Sequence, residues 1–166
     1  MVKGASKEAT HQRPGGDRAE DAYVPGTLRK ASGAHPSDGL YEWQQRADGK
    51  QPYRSRTSDL QPFAFAGLWE FAKISGDEIL SAAIIVGAPN PLAAEIHDRM
   101  PVILEPEDYD TWLNSASSVD ELRALLKPYP TEAMEAYAVS RAVNSVKYDT
   151  VDCIEPVGEP PLRAAR

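Results

Sequence analysis

The sequence predicts a β-rich α+β domain, and three observations lead to that prediction. The segment PFAFAGLWE at 62–70 alternates its side chains with a period of two, which is typical of a strand. The runs ILSAAIIVG at 79–87 and MPVIL at 100–104 are also apolar and of strand length. The segment SSVDELRALLKP at 117–128 instead has the signals of a capped helix. A mixed fold with more strand than helix follows.

The first strand is expected to be central, because both of its faces are apolar. Phe63 and Phe65 lie on one face, and Ala64 and Ala66 lie on the other. The second run is expected to be a buried strand, joined in a hairpin by the Ser75–Asp77 turn. The third begins with a proline near its start, where a missing N–H does least harm. Two further short strands are expected in EAYAVS and CIEPV.

Two helices are predicted from their first turns. Ser118 and Glu121 form a capping box, and Pro128 ends the helix that follows. In EPEDYDTWLN, Pro106 is suited to the first helical position, and the acids after it suit the helix dipole. Neither predicted helix carries evident chemistry.

The 166 residues suffice for one domain, and the apolar residues are unevenly spread. Residues 1–37 contain few large apolar side chains, so we expect a largely irregular segment with one helical turn near Asp17–Tyr23. The folded domain is expected at 38–157, and 158–166 is expected to be a tail.

Composition excludes several classes of function. The net charge of -7 does not indicate nucleic acid, although a local cationic groove can lie on an acidic protein. Cys153, the single cysteine, has no partner for an intramolecular disulfide, and no apolar segment has the length of a signal peptide or membrane span. We therefore expect a soluble, cytosolic protein without membrane contact.

No cofactor is expected. The sequence has no glycine-rich phosphate loop and no paired cysteine motif, so we predict no nucleotide cofactor. His11, His35 and His97 do not have the spacing of a metal site, and we predict no metal.

Two short segments are candidates for chemistry. Glu42 lies between Tyr41 and Trp43, and desolvation by aromatic rings would raise the pKa of its carboxyl toward neutrality. It could equally be the solvent-facing residue of an aromatic strand. His97 could be an acid–base group or an ordinary loop histidine, and Arg99 could simply pair with Asp98.

Five blocks between Pro36 and Val157 resemble, in order and spacing, the SOS-response-associated peptidase family. They are PSDGLYEWQQ (36–45), KQPY (50–53), PFAFAGLWE (62–70), NPLAAEIHDRMPVIL (90–104) and YAVSRAVNSVKYD (137–149). The resemblance implies the β-rich α+β fold of that family. It also implies a partner, single-stranded DNA containing abasic sites.

The resemblance implies roles for four residues. Members of the family use an N-terminal cysteine, exposed by self-removal of the initiator methionine, to crosslink the ring-opened sugar as a thiazolidine. Glu42 and His97 would then be the catalytic acid–base groups, while Arg99 would hold a flanking phosphate and Trp43 would offer a stacking face. Such proteins would associate with the nucleoid when bound to DNA.

The chain departs from the family pattern at its start. Val2 stands where the family has its cysteine, and residues 3–14 are at most a degraded form of an asparagine-containing family block. Val86 stands where the family often has threonine. We therefore expect a member that is incomplete at its N-terminus, with exposed strand edges that favour instability or association.

Three functional hypotheses remain open from the sequence. The chain descends from an abasic-site crosslinking peptidase, or it is a non-covalent module that holds single-stranded DNA, or it is an inactive remnant. For the non-covalent module, Arg141 and Lys147 are additional candidate DNA contacts. Formation of the thiazolidine itself is not expected, because the thiol is absent.

Overall fold

The computed structural model describes residues 31–158 and 160–164. Within those residues ten strands are present, and all the pairings between them are antiparallel. The strands are β1 (Ser32–Ser37), β2 (Leu40–Arg46), β3 (Gly49–Thr57), β4 (Phe63–Ile74), β5 (Asp77–Ile84), β6 (Val86–Gly87), β7 (Met100–Pro101), β8 (Ile103–Leu104), β9 (Met134–Ala138) and β10 (Leu162–Arg163).

Short helices connect the strands. The α-helices that lie wholly within the described residues are α1 (Pro91–Ala94), α2 (Tyr109–Leu113) and α3 (Val119–Ala124). The 3-10 turns are Pro106–Asp108, Thr131–Ala133, Arg141–Asn144 and Val151–Ile154. The predicted β-rich α+β fold is confirmed.

The strands form two main sheets. In the first sheet β4 pairs with β1 along one edge and with β5 and β8 along the other. The second sheet has the order β10-β9-β3-β2, and β6 and β7 form a separate small ribbon. The prediction that PFAFAGLWE is a central strand is confirmed by the three partners of β4.

The predicted hairpin is formed by β4 and β5. Ile74 pairs with Asp77, so the loop contains only Ser75 and Gly76. Both have positive φ, 55° and 96°, which is the conformation of a type I′ turn. Beyond Leu68, β4 no longer pairs with β1, so the two strands continue as a two-stranded ribbon. We call residues 69–82 the hairpin arm.

Two apolar clusters form the core. The first lies between the sheets and includes Phe63 and Phe65 of β4 together with Met134 of β9. The second lies between the opposite face of β4 and the helices, and it includes the fully buried Trp112 and Leu122. The alternation of β4 therefore serves one core on each face, as its sequence predicts.

Residues 79–87 were predicted to be a buried strand, and the prediction that they are buried is wrong. β5 is a strand, but all eight of its residues are exposed. Leu80, for example, is 59% exposed. The physical reason is that the strands of the hairpin arm pair only with each other, and no other element in the described part of the chain covers β5.

Three predicted boundaries also differ. Residues 32–37, expected to be irregular, form β1, and residues 162–163 of the expected tail form β10 against β9. The predicted strand MPVIL is divided into β7 and β8 at Val102. The Val102 N–H donates to the Ile85 carbonyl, and the Val102 carbonyl accepts from the Ala66 N–H, so its backbone groups remain paired.

The segment CIEPV is not a strand. It holds the end of a 3-10 turn and an isolated bridge between Val139 and Pro156. EAYAVS corresponds to β9, as predicted. The helical turn expected near Asp17–Tyr23 lies outside the described residues.

The capping prediction is confirmed. The Ser118 side chain accepts from the Glu121 N–H at 3.2 Å, and the Glu121 carboxylate accepts from the Ser118 N–H at 2.7 Å. Pro106 begins a 3-10 turn that leads into α2, close to the predicted helix start. Helix α1 was not expected. Asn90 caps it, with its side-chain oxygen accepting from the Ala93 N–H at 2.8 Å.

Candidate active site

Glu42 lies on β2, which is an edge strand among the described residues of the second sheet. It is half-buried at the rim of the core between the sheets, beside Leu40, Ile96 and Met100. Burial raises the pKa of Glu42, and the positive charge of His97 and a hydrogen bond from the Trp43 backbone offset part of that rise. The carboxyl therefore keeps its proton to higher pH than an exposed glutamate.

The pKa of Glu42 is raised, as the sequence analysis predicts, but the residues that desolvate the carboxyl are different. Alternation along β2 turns Tyr41 and Trp43 toward the opposite face from Glu42. The Tyr41 hydroxyl donates to the Cys153 carbonyl at 3.1 Å, on the C-terminal segment. The side chains of the core, rather than the neighbouring aromatics, supply most of the apolar surroundings of Glu42.

His97 is held by the turn that follows α1. Its backbone N–H donates to the Ala93 carbonyl at 2.9 Å. A second hydrogen bond joins this turn to β2, because the Gln44 side chain donates to the Glu95 carbonyl at 2.7 Å. Glu42 and His97 are 55 positions apart in the chain, and these contacts bring them to one site.

The imidazole of His97 has two contacts at one nitrogen. Nδ1 accepts from the Arg99 N–H at 3.1 Å and lies 3.1 Å from the Asp98 carboxylate. The first contact requires a lone pair on Nδ1, so the neutral ring carries its proton on Nε2. The second becomes favourable only when the ring is protonated. The Nδ1 atom of His97 therefore faces a backbone donor and a carboxylate acceptor at the same time.

Trp43 lies at the same site as Glu42 and His97. Its Nε1 donates to the Asn144 side-chain oxygen at 2.7 Å, which joins β2 to the 3-10 turn Arg141–Asn144. An open groove of about 500 Å³ is formed where these elements meet, and we call it the β2 groove. Its lining residues are Glu42, Trp43, Lys50, His97, Val143, Asn144 and Val146.

Arg99 is not part of the β2 groove. It is exposed, and it lines the small apolar pocket behind Glu42 as well as a second groove formed with Leu68 and Val86. Three of the four sequence-predicted residues therefore line the β2 groove, and Arg99 shares the adjoining small pocket with Glu42.

Sequence reasoning missed Lys50 and Asn144, both of which line the groove. A signal for Lys50 existed in the KQPY block, but its place beside Trp43 depends on the pairing of β2 with β3. Arg141, a candidate DNA contact, is instead paired with Asp48 at 2.7 Å.

No set of three or more histidine, cysteine or acidic residues in the described part of the chain is arranged to hold a metal ion. None of the helices in that part is long and apolar enough to cross a membrane.

A family model described as "SOS response associated peptidase (SRAP)" matches residues 25–146 of the chain. The chain belongs to the SRAP family. The family resemblance predicted from the sequence is confirmed, although the model match begins before Pro36 and ends before Val157.

Curated SRAP relatives agree with this assignment. The chain is 44% identical over 124 residues to the abasic site processing protein YoqW of Bacillus subtilis, which covers 72% of the chain and 55% of YoqW. It is 32% identical over 123 residues to the abasic site processing protein YedK of Escherichia coli, covering 73% of the chain and 55% of YedK. The chain thus spans about half the length of these relatives.

Solved structures give the same fold. A protein from Bacteroides thetaiotaomicron is 30% identical to the chain and superposes with a TM-score of 0.73, over 80% of this chain and 59% of the other. The SRAP fold predicted from the sequence blocks is confirmed by this likeness.

Proposed function

We propose that the chain binds single-stranded DNA at abasic sites, with the β2 groove receiving the lesion. One observation carries the proposal: Glu42, a carboxyl whose pKa is raised by burial, shares this groove with His97 and the indole of Trp43. The names of the SRAP relatives, which refer to abasic site processing, support the choice of lesion. A protein with this function would act in the cytoplasm and associate with the nucleoid when bound.

In this proposal Glu42 and His97 move protons at the ring-opened sugar. An amine attacks an aldehyde in its neutral form, and the resulting carbinolamine loses water when an acid protonates its hydroxyl. A carboxyl with a raised pKa keeps its proton to higher pH and can supply that proton, and a histidine can remove a proton from the attacking amine. The two groups therefore fit imine formation and its reversal.

Trp43 and Arg99 would hold the DNA. The hydrogen bond from Trp43 to Asn144 fixes the indole, so one ring face can stack on a base next to the lesion. Arg99 is exposed on the adjoining surface, where it would contact a phosphate outside the groove. Lys50 at the groove and Arg99 beside it would be two cationic contacts for phosphates on a protein of net charge -7.

Covalent capture through a thiol is not part of the proposal. Cys153, the single cysteine of the printed sequence, does not line the β2 groove. This favours a second candidate function, a purely non-covalent module that binds single strands without any reaction at the sugar. An inactive remnant would bind neither damaged nor intact strands.

Binding is tested by fluorescence anisotropy with two labelled oligonucleotides, one intact and one with a single abasic site, at two salt concentrations. We expect tighter binding to the abasic strand, and weaker binding at higher salt because phosphate contacts release counterions. Equal and salt-independent signals for both strands would rule out the proposed function.

Chemistry is tested on the same abasic strand by borohydride trapping of an imine. In the Glu42→Gln variant we expect the rate of trapping to fall about 100-fold or more, with binding retained, because general acid catalysis is lost. Glu70→Gln is the matched control, since Glu70 is an exposed carboxyl on the hairpin arm. Trapping that is unchanged in Glu42→Gln would remove Glu42 from the mechanism, and no trapping with intact binding would favour the non-covalent module.

A further inference from the structure

An exposed ion pair joins two turns next to the β2 groove. Asp48 is the second residue of the turn between β2 and β3, and Arg141 begins the 3-10 turn Arg141–Asn144. Nη2 of Arg141 donates to the Asp48 carboxylate at 2.7 Å, and Nη1 donates to the Asp48 carbonyl at 3.3 Å. Both side chains are open to solvent, with 43% of Arg141 and 69% of Asp48 exposed.

The pair adjoins the surface on which the proposed function places a strand. Lys50, which follows Asp48 by two residues, lines the groove, and so does Asn144. Because a 3-10 helix rises about 2 Å per residue, the backbone of Arg141 lies about 6 Å along its turn from Asn144. Asn144 accepts the hydrogen bond of Trp43, the residue that would stack on a base. A phosphate next to that base would therefore come within reach of Arg141.

The arginine is anchored independently of the carboxylate. Nε of Arg141 donates to the Gln51 side-chain oxygen at 3.3 Å. Gln51 is buried, and its amide nitrogen donates to the Val139 carbonyl at 2.9 Å, so the oxygen that receives Arg141 is fixed. Removal of the charge of Asp48 would leave Arg141 held at Nε, with Nη2 available to another anion.

Asp48 occupies the part of Arg141 that would bind a phosphate. A guanidinium presents paired N–H donors, and carboxylate and phosphate oxygens bind to these donors in the same manner. We propose that Arg141 contacts a phosphate of single-stranded DNA beside the β2 groove, and that the Asp48 carboxylate competes with this phosphate for the guanidinium. The inference rests on the proposed function, and it adds a phosphate contact together with an internal competitor that limits the affinity for DNA.

The competing carboxylate is charged at neutral pH. The hydrogen bond from Arg141 holds the pKa of Asp48 below its usual value, and the charge of Arg46 lowers this pKa further. An exposed ion pair is nevertheless weak, since side-chain entropy and salt offset much of its attraction. Asp48 can therefore lower the affinity for DNA and still be displaced by it.

The experiment measures binding of the full chain to a labelled single strand with one abasic site, by fluorescence anisotropy at several salt concentrations. Asp48→Asn removes the competing charge and keeps a residue that is suited to a turn. We expect this variant to bind the strand about two- to fivefold more tightly, which is the range that an exposed ion pair is worth.

Two comparisons separate this competition from a general effect of charge. Addition of Arg141→Gln to Asp48→Asn should abolish the gain, and it should reduce the slope of log K against log salt by about 0.7, because one phosphate contact is lost. Asp77→Asn removes the same charge at the exposed start of β5, and it should bind about as tightly as the unaltered chain. Thermal unfolding of each variant measures whether the ion pair matters for stability.

Failure of the inference is distinguishable from failure of the proposed function. An equal gain from Asp48→Asn with and without Arg141 would mean that the carboxylate acts only through overall charge, and the inference would be wrong. Unchanged binding in Asp48→Asn, with or without a lower Tm, would reduce the pair to a link between two turns and would also overturn it. Both results leave the proposed function intact. If neither the unaltered chain nor Asp48→Asn binds the abasic strand, the proposed function fails and the inference fails with it.

Discussion

The two halves of β4 have the same kind of sequence but different surroundings. Phe65 lies between the two sheets and is 6% exposed, whereas Phe71, on the same face of the same strand, is 58% exposed. Beside Phe71, Trp69 makes an edge-to-face ring contact, but that contact leaves much of both rings open to solvent. The difference teaches that the alternation of side chains determines which face of the strand each residue occupies. Whether that residue is buried depends on which other element packs across the face.

The largest expected effect tests this contrast directly. Phe65→Ala should lower the free energy of unfolding by about 3–5 kcal/mol, because it leaves a cavity between the sheets. Phe71→Ala should lower it by less than about 1 kcal/mol, because little buried contact is lost. Urea unfolding followed by tryptophan fluorescence measures both. Equal losses in the two variants would mean that the hairpin arm is packed against something in solution.

An intermediate effect on the free energy of unfolding is expected at the outer face of the second sheet, where polar side chains pair with each other. Glu135 is buried there, and it accepts hydrogen bonds from Arg56 at 2.7 Å and from Arg163 at 2.5 Å. Burial by itself would raise the pKa of Glu135, but the two guanidinium groups more than offset this and hold the pKa below its usual value.

A lowered pKa gives a defined pH dependence. The stabilisation from Glu135 is fully present above the pKa of an unfolded glutamate, about 4.3, and is lost as the pH falls through the lower folded value. Glu135→Gln should therefore cost about 1–3 kcal/mol at pH 7, and this cost should shrink in acid. Unfolding curves at several pH values check this, and a cost that persists unchanged at low pH would contradict it.

The smallest effect on stability is expected in the hairpin arm itself. Leu80→Lys should change the free energy of unfolding by no more than about 0.5 kcal/mol, since Leu80 is 59% exposed. It should nevertheless reduce self-association, because it places a charge on an apolar edge strand. Sedimentation at several protein concentrations measures this, with Leu113→Lys as a control at a similarly exposed leucine outside the arm. A wild-type chain that stays monomeric throughout would contradict the expectation of an associating surface.

Local signals in the sequence were sufficient for several elements. The capping box of Ser118 and Glu121 involves groups only three residues apart, and the Ser75-Gly76 turn requires only two. Such features are formed by neighbours in the chain, so their patterns can be interpreted without knowledge of the rest of the fold. The exposure of β5 could not be predicted in this way, because it depends on whether any distant element packs across the strand.

The candidate site shows the same limit. Glu42 and His97 were singled out through family blocks, since nothing in a separation of 55 residues indicates that they meet. The family resemblance predicts that Arg99 holds a phosphate flanking the lesion, and the structure places Arg99 in a groove next to the one that His97 lines. Lys50 required the register of β2 with β3, which is a property of the folded sheet.

The hydrogen bonds of Asn90 bear on how fast the β2 groove would bind DNA in the proposed function. Its buried side chain caps α1 and donates to the Tyr129 carbonyl at 2.9 Å, so it anchors the segment that leads to His97 to a distant part of the chain. In the proposed function, a segment held in this way would have little freedom left to lose when DNA binds. The encounter of DNA with His97 would then require no slow rearrangement of this segment, and diffusion and the charges around the groove would set the rate of association.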